Sequence, residues 1–268
     1  MISSTPTLIL VNPQMGENIG AVARAMMNFG LRELRLVKPR DGWPNAAAEA
    51  MAAHGVEIIH NAKLYETTRE AVADLHYVYA STARDRRLNK PQLTPREAVA
   101  DAASRIGQGQ KTGILFGPER TGLVTEDIAL AQALLTVPTD PDHASLNIAQ
   151  CSVVVAYEWF CAYVEAESQV RSAGRTSPER GEAASPCEAQ DAPQWGETIL
   201  PAKQEDINQF FDHLEAALDK TYYFKLEEKK PRMWRNLRAT FLRAALSSQE
   251  VHTLRGIIAA LEKGEKRK

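Results

Sequence analysis

The fold is indicated most clearly by TLILVNPQMGENIGAVARAMMNFG (Thr7–Gly30). This stretch joins a five-residue apolar run, Thr7–Val11, to a helical pattern over Ile19–Phe29. A short apolar run that leads through a turn into a helical pattern predicts a β-strand followed by a helix. Asn18 is expected to cap this helix, and Gly30 lies directly after its end. The stretch therefore predicts the repeating unit of a parallel sheet.

The same alternation continues through the first two-thirds of the chain. Five more apolar runs of strand length are bounded by glycine, proline, asparagine or charged residues: Glu33–Val37, Val56–His60, Tyr77–Ala80, Thr112–Phe116 and Leu134–Val137. Helical patterns lie between them at Ala46–Ala53, Leu64–Ala73 and Pro95–Ile106, the last with Thr94 as its N-cap. Strands that alternate with helices predict an α/β fold, with a mostly parallel sheet covered on both faces.

A change of composition after residue 165 predicts the domain organisation. Ser168–Ala202 is rich in Ser, Ala, Pro, Glu and Gly and almost lacks aliphatic residues, so we expect a flexible linker there. Helical periodicity resumes at Asp206, and two more helices are predicted over Met233–Ala245 and Gln249–Leu261. The expected organisation is an α/β domain over residues 1–167, a linker over 168–202 and a small helical C-terminal extension over 203–268.

The composition and charge are those of an ordinary globular protein. The 268 residues carry a net charge of −2, so a surface for nucleic acid must be local. The three cysteines form no CxxC pair, which argues against a disulfide framework or a zinc site. The apolar segment Leu146–Val164 carries Glu158 near its centre, which disfavours a membrane span, and no signal peptide is recognised at the N-terminus. We expect a cytoplasmic protein.

Three stretches carry the side chains best suited to chemistry, and each follows a predicted strand, where parallel sheets bind their ligands. NIGAVARAM contains Asn18 and Arg24, and an arginine near a helix N-terminus favours an anionic partner. LFGPERTGL contains Glu119 between glycines that allow a close backbone approach. HASLNIAQCSVVVAYE contains Ser145, which is expected to cap the long apolar helix. Each stretch alone is also consistent with an ordinary turn or helix cap.

One glycine-rich segment is not predicted to bind a nucleotide. GQGQKTG (Gly107–Gly113) follows a predicted helix and precedes a strand, whereas a dinucleotide fingerprint follows a strand and opens a helix. A helix-to-strand turn is the better interpretation, and a dinucleotide-dependent oxidoreductase is disfavoured. Asp140, Asp142 and His143 receive no role from the sequence.

Two clusters of basic residues are suited to RNA. The first follows a predicted strand and consists of Arg84, Arg86, Arg87 and Lys90. The second mixes basic and aromatic side chains in the C-terminal segment and includes Arg232, Trp234, Arg235 and Arg238. Such mixtures grip phosphates and stack on bases, although a solvated helix face is the alternative.

Together and in this order, NIGAVARAM, LFGPERTGL and SLNIAQ resemble the three motifs of the SPOUT superfamily of RNA methyltransferases, in its TrmH/TrmJ branch. STARDRR (Ser81–Arg87) and MWRNLRATFLRA (Met233–Ala244) resemble the TrmJ group in particular. The resemblance implies an S-adenosylmethionine-dependent enzyme that methylates a ribose 2′-hydroxyl of tRNA, at nucleotide 32 of the anticodon loop. It also implies a C-terminal trefoil knot and a homodimer with the active site at the subunit interface.

The resemblance also implies the site residues. The cofactor shell would consist of Ser81, Leu115, Phe116, Gly117, Val137, Pro138, Ser145, Leu146 and Asn147. The catalytic residues would be Arg24, Asn18, Ser145 and Glu119. Deprotonating an arginine near neutral pH costs roughly 7 kcal/mol, so we favour Arg24 as a phosphate and oxyanion clamp, with a role as base as the alternative. No metal is expected, because the sulfonium already activates the methyl group.

Other functions stay open at this level. The enzyme could methylate ribosomal or another RNA, or a base atom, and a non-catalytic RNA-binding protein with a degenerate cofactor pocket would share much of the pattern. The expected partners are tRNA and a second copy of the chain, with neither DNA nor membrane as a partner.

Overall fold

The computed structural model describes residues 4–83, 90–173, 200–221, 223–224 and 226–265. The candidate RNA-binding residues Arg84, Arg86 and Arg87 and most of the expected linker lie outside the described residues. Within the described residues the chain forms seven strands: β1 (Thr7–Val11), β2 (Leu34–Val37), β3 (Lys63–Tyr65), β4 (Tyr77–Ser81), β5 (Gln92–Leu93), β6 (Thr112–Phe116) and β7 (Ala133–Leu135). All pair in parallel in a single sheet, in the order β3-β2-β1-β6-β4-β7-β5.

The described helices are α1 (Gly16–Asn28), α2 (Ala46–Ala52), α3 (Val56–His60), α4 (Thr68–Ala71), α5 (Pro95–Gly107), α6 (Thr125–Leu130), α7 (Ile148–Ala173), α8 (Gln204–Asp219), α9 (Lys230–Arg243) and α10 (Ser248–Glu265). None of them is long and apolar enough to cross a bilayer. The expected α/β class with a mostly parallel sheet is confirmed.

The sheet is covered on both faces, as the alternating pattern predicts. Along β1, Leu8 and Leu10 belong to the hydrophobic cluster that contains α1, α5 and α7 residues. Ile9 and Val11 belong to a second cluster, which also contains Leu75 from the segment just before β4. Because successive side chains of a strand point to opposite faces, one five-residue run supplies both cores. The third cluster lies among α8, α9 and α10.

Two secondary-structure predictions are wrong. Val56–His60 was predicted as a strand and forms helix α3 instead. Ile58 and Ile59 are adjacent and both buried in the same cluster as α1, which suits one helix face better than a strand that would send them to opposite faces. The helix expected over Leu64–Ala73 shrinks to α4, because its first residues form edge strand β3. Strand β5 and helix α6 were not predicted.

The structure confirms two of the four predicted helix ends. Thr94 caps α5 in a reciprocal capping box with Glu97, and Gly30 adopts a φ of 77° just after α1, both as expected. Asn18 does not cap α1, because that helix already begins at Gly16. Ser145 does not cap α7 either.

The N-terminus of α7 is capped by a neighbouring residue. The Asn147 Oδ1 accepts a hydrogen bond from the backbone N–H of Ala149 at 2.8 Å. Helix α7 extends to Ala173, beyond Ser168, where the sequence predicts the linker to begin.

The C-terminal helices pack against the α/β part through backbone contacts. The N–H groups of Gln204 and Glu205, in the first turn of α8, donate to the carbonyls of Leu75 and Ala73 at 2.9 and 3.0 Å. The first N–H groups of a helix lack partners within it, so these two carbonyls cap α8 from the other domain. Arg69 and Asp212 add an exposed ion pair across the same boundary.

Candidate active site

The sheet brings the three sequence motifs together at one edge. Strands β1 and β6 are neighbours, so the segments after them meet at their carboxyl ends. The Asn18 amide nitrogen donates to one carboxylate oxygen of Glu119 at 2.7 Å, and the backbone N–H of Gln14 donates to the other at 3.0 Å. The Asn147 amide nitrogen donates to the Asn18 side-chain oxygen at 3.2 Å. One hydrogen-bonded chain therefore links all three motifs.

Glu119 fixes the start of α1 in this arrangement. An ionised carboxylate only accepts hydrogen bonds, and both oxygens of Glu119 accept one from the segment around the start of α1, namely from Gln14 and Asn18. Asn18 in turn contacts Glu119 and Asn147 and makes no hydrogen bond to Arg24.

A cavity of about 290 Å³ lies beside this chain of hydrogen bonds, among the segments that follow β4, β6 and β7. Six of the nine predicted cofactor residues line it, namely Ser81, Phe116, Gly117, Val137, Ser145 and Leu146. Glu119 lines it as well. Of the other three, Leu115 is fully buried in the second hydrophobic cluster, Asn147 caps α7 and bonds Asn18, and Pro138 lies outside the lining.

Several lining residues escaped the sequence analysis, among them Thr82, Arg120, Leu135 and Cys151. Cys151 lies one helical turn after Asn147, so the correct start of α7 would have pointed to it. Burial raises the pKa of the Cys151 thiol to about 11, so the thiol is neutral at physiological pH and serves as apolar lining. Leu135 was not predicted because it lies in an apolar run that is typical of a strand buried in the core.

The glycines of the second motif bring two backbone segments into close contact. A Cβ added at Gly117 would lie 2.2 Å from the backbone nitrogen of Leu123 and 2.4 Å from the carbonyl carbon of Gly122. Gly122 itself has a φ of 67°, which favours glycine. The cavity wall therefore depends on the absence of a side chain at Gly117.

The lining fits S-adenosylmethionine in its chemistry. Apolar walls from Phe116, Val137 and Ile148 suit a flat ring, while the hydroxyls of Ser81 and Ser145 and the exposed backbone of the glycine turn suit polar groups. The acid that lines the cavity, Glu119, favours a nearby cationic sulfonium. The residues present are thus compatible with the cofactor that the sequence predicts.

The remaining predicted site residues lie elsewhere. Arg24 is exposed on α1, has no hydrogen bond or ion pair with another described residue, and does not line the cavity. Arg232 and Arg235 are exposed on α9. Trp234 packs edge-on against Phe211, with ring centroids 5.9 Å apart.

Lys90 and Arg238 are largely engaged in contacts with other described residues. The Lys90 ammonium donates to the carbonyls of Ala129 and Ala131, and burial, with a smaller effect of Arg238, lowers its pKa to about 7. The Arg238 guanidinium lies 4.3 Å from the ring centre of Phe211 and donates to an Asn208 oxygen. Among the described members of the two basic clusters, Arg232 and Arg235 are therefore the ones best placed to meet a ligand.

Comparisons with known proteins identify the family of this chain. Residues 5–157 match the model of the SpoU rRNA Methylase family, and residues 205–268 match that of the tRNA methyltransferase TrmJ, C-terminal domain. A tRNA (cytidine/uridine-2′-O-)-methyltransferase TrmJ from Klebsiella pneumoniae is 33% identical over 261 residues, covering 97% of this chain and 98% of that protein.

Solved structures give the same result. TrmJ from Z. mobilis ZM4 is 40% identical with a TM-score of 0.79, covering 97% of this chain and all of that one. A probable methylase family protein from Haemophilus influenzae is 26% identical with a TM-score of 0.56, covering 98% of each chain.

The chain therefore belongs to the SpoU rRNA methylase family. Its second matched segment and its full-length relatives are those of TrmJ, so the resemblance to the TrmH/TrmJ branch is confirmed. The expected enzyme class, an S-adenosylmethionine-dependent methyltransferase, and its cofactor are confirmed with it.

Proposed function

We propose that this chain transfers the methyl group of S-adenosylmethionine to a ribose 2′-hydroxyl of tRNA, at nucleotide 32 of the anticodon loop, in the cytoplasm. The observation that carries the proposal is the extent of the similarity. It covers both the domain that holds the cavity and the C-terminal helices, and the similar proteins are named for 2′-O-methylation of tRNA. The position of the nucleotide rests on the resemblance in the motifs alone.

The bound cofactor supplies a methyl group that its positive sulfonium already activates. The residues of this chain then have to hold the ribose in line with that methyl group and assist loss of the hydroxyl proton. The Asn18 amide is held by Glu119, and the Asn147 amide is held by the side-chain oxygen of Asn18, so both amides have fixed orientations beside the cavity and are suited to orienting a ribose. Ser145 offers a hydroxyl within the lining. We assign Asn18, Ser145 and Glu119 to substrate positioning on this basis.

A homodimer is part of the proposal. Helix α7 presents a stripe of four apolar side chains, each 39–52% exposed, at Val153, Tyr157, Phe160 and Val164. The spacing of four, three and four residues places them on one face of the helix. Contiguous apolar patches of this kind mark interfaces. The stripe continues to Phe29, directly after the end of α1, whose ring contacts those of Tyr157 and Phe160.

Arg24 fits this dimer. It lies on α1, the helix that ends directly before Phe29, and it is exposed without a partner among the described residues. A second copy docked on the stripe would bring an Arg24 towards the cavity from the subunit interface. There it acts as a clamp on the phosphate and on the developing oxyanion.

A pH–rate profile of Arg24→Lys beside the unsubstituted enzyme distinguishes the clamp from a base. Loss of methyl transfer at every pH supports a planar clamp, because lysine cannot reproduce its paired donors. Recovery of the lysine variant at high pH supports the base instead. Binding of S-adenosylmethionine, measured in parallel, shows that the cofactor site of the variant is intact.

The finer architecture is also proposed. A C-terminal trefoil knot is supported by the strand order, since β6 inserts between β1 and β4, and β7 between β4 and β5. We retain an α/β domain, a linker and an RNA-binding extension over 203–268, but the linker starts after Ala173 rather than at Ser168, because α7 extends to Ala173. In that extension Arg232 and Arg235 face solvent and are our leading RNA contacts. Trp234 and Arg238, on the same helix, pack against Phe211 and so support the placement of these two arginines.

Methyl transfer from labelled S-adenosylmethionine to bulk tRNA from a methyltransferase-deficient strain tests the function. Nuclease mapping of the product should give a 2′-O-methyl mark in the anticodon loop. If ribosomal RNA supplied in parallel is methylated and tRNA is not, the substrate is ribosomal RNA and the proposed substrate is wrong. Cofactor binding without transfer to any RNA would contradict the proposal, and absence of cofactor binding would favour a non-catalytic RNA-binding protein.

A further inference from the structure

The loop between β2 and α2 lies against the first motif. Strands β1 and β2 end in register, with Val11 opposite Val37, so their following loops share one edge of the sheet. The backbone N–H of Arg40 donates to the carbonyl of Pro13 at 3.0 Å. The loop is therefore anchored directly beside Gln14, whose N–H holds Glu119.

The far end of the same loop is fixed as well. A Cβ added at Gly16 would lie 2.1 Å from the side-chain oxygen of Asn45, so Asn45 packs directly on the start of α1. Asn45 also caps α2 through a hydrogen bond from the N–H of Ala48. The position of the loop relative to the first motif is thus set at both ends by named contacts.

The backbone at this edge is strained. Asn12 and Lys38, the residues directly after β1 and β2, adopt φ values of 47° and 44°. Asparagine tolerates the left-handed region, but a lysine there is unusual and costs free energy. Strain of this kind persists where the surroundings enforce it, and it is concentrated at functional sites. The conformation keeps Lys38 exposed at the edge.

Arg40 is open to solvent at the edge of the sheet that carries the active site. Its side chain is 60% exposed, and its Nε donates to Asp41 at 2.8 Å. That hydrogen bond chiefly, with the charges of Asp41 and Glu119, raises the pKa of the guanidinium, so Glu119 lies within electrostatic reach. Nη1 makes no hydrogen bond to another described residue and is available to a ligand.

We propose that the β2–α2 loop is a phosphate-binding edge of the active site, where Arg40 and Lys38 hold the RNA backbone next to the target ribose. The proposal rests on the proposed function and adds a second contact region to the C-terminal helices. Asp41 preorganises the guanidinium fork of Arg40, which can then face a phosphate with its free donors. The loop's anchoring to Pro13 and Gly16 transmits the position of the bound backbone to the motif that holds Asn18.

The test compares Arg40→Ala, Lys38→Ala and the double variant with Arg32→Ala. Arg32 is a matched control, because it is also exposed and lies at the opposite end of β2, away from the active-site edge. We expect Arg40→Ala to raise the KM for tRNA about five- to tenfold with kcat nearly unchanged, and the double variant to raise it further. Arg40→Lys should recover part of the affinity.

Two further readouts separate binding from folding and from the proposed function. Equilibrium tRNA binding, measured by fluorescence anisotropy at several salt concentrations, should show a salt slope lower by about one for each lost phosphate contact. Affinity for S-adenosylmethionine should not change in any of these variants.

Suppose that the unsubstituted enzyme is active and that the Arg40→Ala and double variants keep its KM, tRNA affinity and salt slope. That result overturns the inference about the loop and leaves the proposed function unaffected. If the unsubstituted enzyme does not methylate tRNA, the proposed function fails. The salt dependence of tRNA binding then tests the phosphate contacts of the β2–α2 loop without any activity. A lower salt slope in the double variant supports these contacts, and an unchanged slope overturns them.

Discussion

The side-chain amide of Asn18 donates to the carboxylate of Glu119 at 2.7 Å, across 101 positions of the sequence. The same amide accepts a hydrogen bond from Asn147 through its oxygen. Both ends of the Asn18 side chain are therefore engaged, one with the second motif and one with the third. This single residue sets the three segments around the cavity relative to one another.

Replacing Asn18 by alanine should disable catalysis more than cofactor binding. The substitution leaves one Glu119 oxygen without its partner, and a lost hydrogen bond to a charged group costs about 1.5–3 kcal/mol. We expect kcat/KM for methyl transfer to fall about 10- to 100-fold. Affinity for S-adenosylmethionine, measured by calorimetry, should change little because Asn18 does not line the cavity.

Asn61→Ala is the matched control for this loss, since Asn61 is exposed at the end of α3 and far from the motifs in sequence. Equal losses of activity in both variants, or an Asn18→Ala enzyme with unchanged kcat/KM, would contradict the role assigned to Asn18.

Gly117→Ala should close part of the cavity. Its new Cβ would meet backbone atoms of Gly122 and Leu123 at 2.2–2.4 Å, where relief requires the loop to move. We expect affinity for S-adenosylmethionine to fall at least about tenfold, since the moved loop forms one wall of the cavity. Gly107→Ala is the control, because a Cβ there meets nothing within 4 Å. Comparable cofactor affinities in the two variants would argue against this cavity as the cofactor site.

A buried arginine links stability to acid pH. The Arg35 side chain is 3% exposed and pairs with Glu33 and Asp74. Burial alone would raise the pKa of Asp74, but its hydrogen bond and charge contact with Arg35 outweigh this, and the pKa falls from 3.8 to about 2. Because the folded-state pKa is depressed, the contribution is present above about pH 4 and is lost as the pH falls towards 2.

Asp74→Asn should therefore lower the free energy of unfolding at pH 7 by about 1 kcal/mol, a value reduced for the solvent exposure of the carboxylate. Urea unfolding of both proteins, followed from pH 7 to pH 2.5, should show the difference shrinking in acid. A difference that grows as the pH falls would have the wrong sign for this ion pair.

The apolar stripe of α7 predicts the oligomeric state. Val153→Glu combined with Phe160→Glu places two charges in the proposed interface and should give a monomer by sedimentation velocity. Methyl transfer should fall with it, because each active site needs the subunit interface. Leu64→Glu, which adds a charge at an exposed apolar residue of β3, should remain dimeric and active. An unsubstituted enzyme that is fully active as a monomer would refute the interface.

Much of the fold follows from local patterns in the sequence. The runs Thr7–Val11 and Thr112–Phe116 were predicted with the observed bounds, because each is a short apolar run between clear turn signals. Val56–His60 failed because a five-residue apolar run with adjacent isoleucines fits a helix or a strand equally well until its neighbours are known. The arrangement of strands, with β6 between β1 and β4, cannot be read from local patterns.

The sequence predicts which residues belong to the candidate site, but not which of them form hydrogen bonds with one another. The motifs identified Asn18, Glu119 and Asn147, yet their hydrogen bonds depend on which strands become neighbours. The cap of α7 moved from Ser145 to Asn147, since both residue types cap helices well and only the backbone path selects one. Trp234 is predicted to contact RNA, and its partly buried ring also packs against the core of the C-terminal helices, a contact that local sequence patterns do not show.

The most direct test of the proposed reaction removes one oxygen atom from the substrate. A synthetic tRNA with 2′-deoxyribose at nucleotide 32 is compared with one that carries the same change at a neighbouring anticodon-loop nucleotide, using labelled S-adenosylmethionine. We predict no methyl transfer to the first tRNA and normal transfer to the second. Undiminished transfer to the tRNA that lacks the 2′-hydroxyl at nucleotide 32 would contradict the proposed position, and with it the central claim.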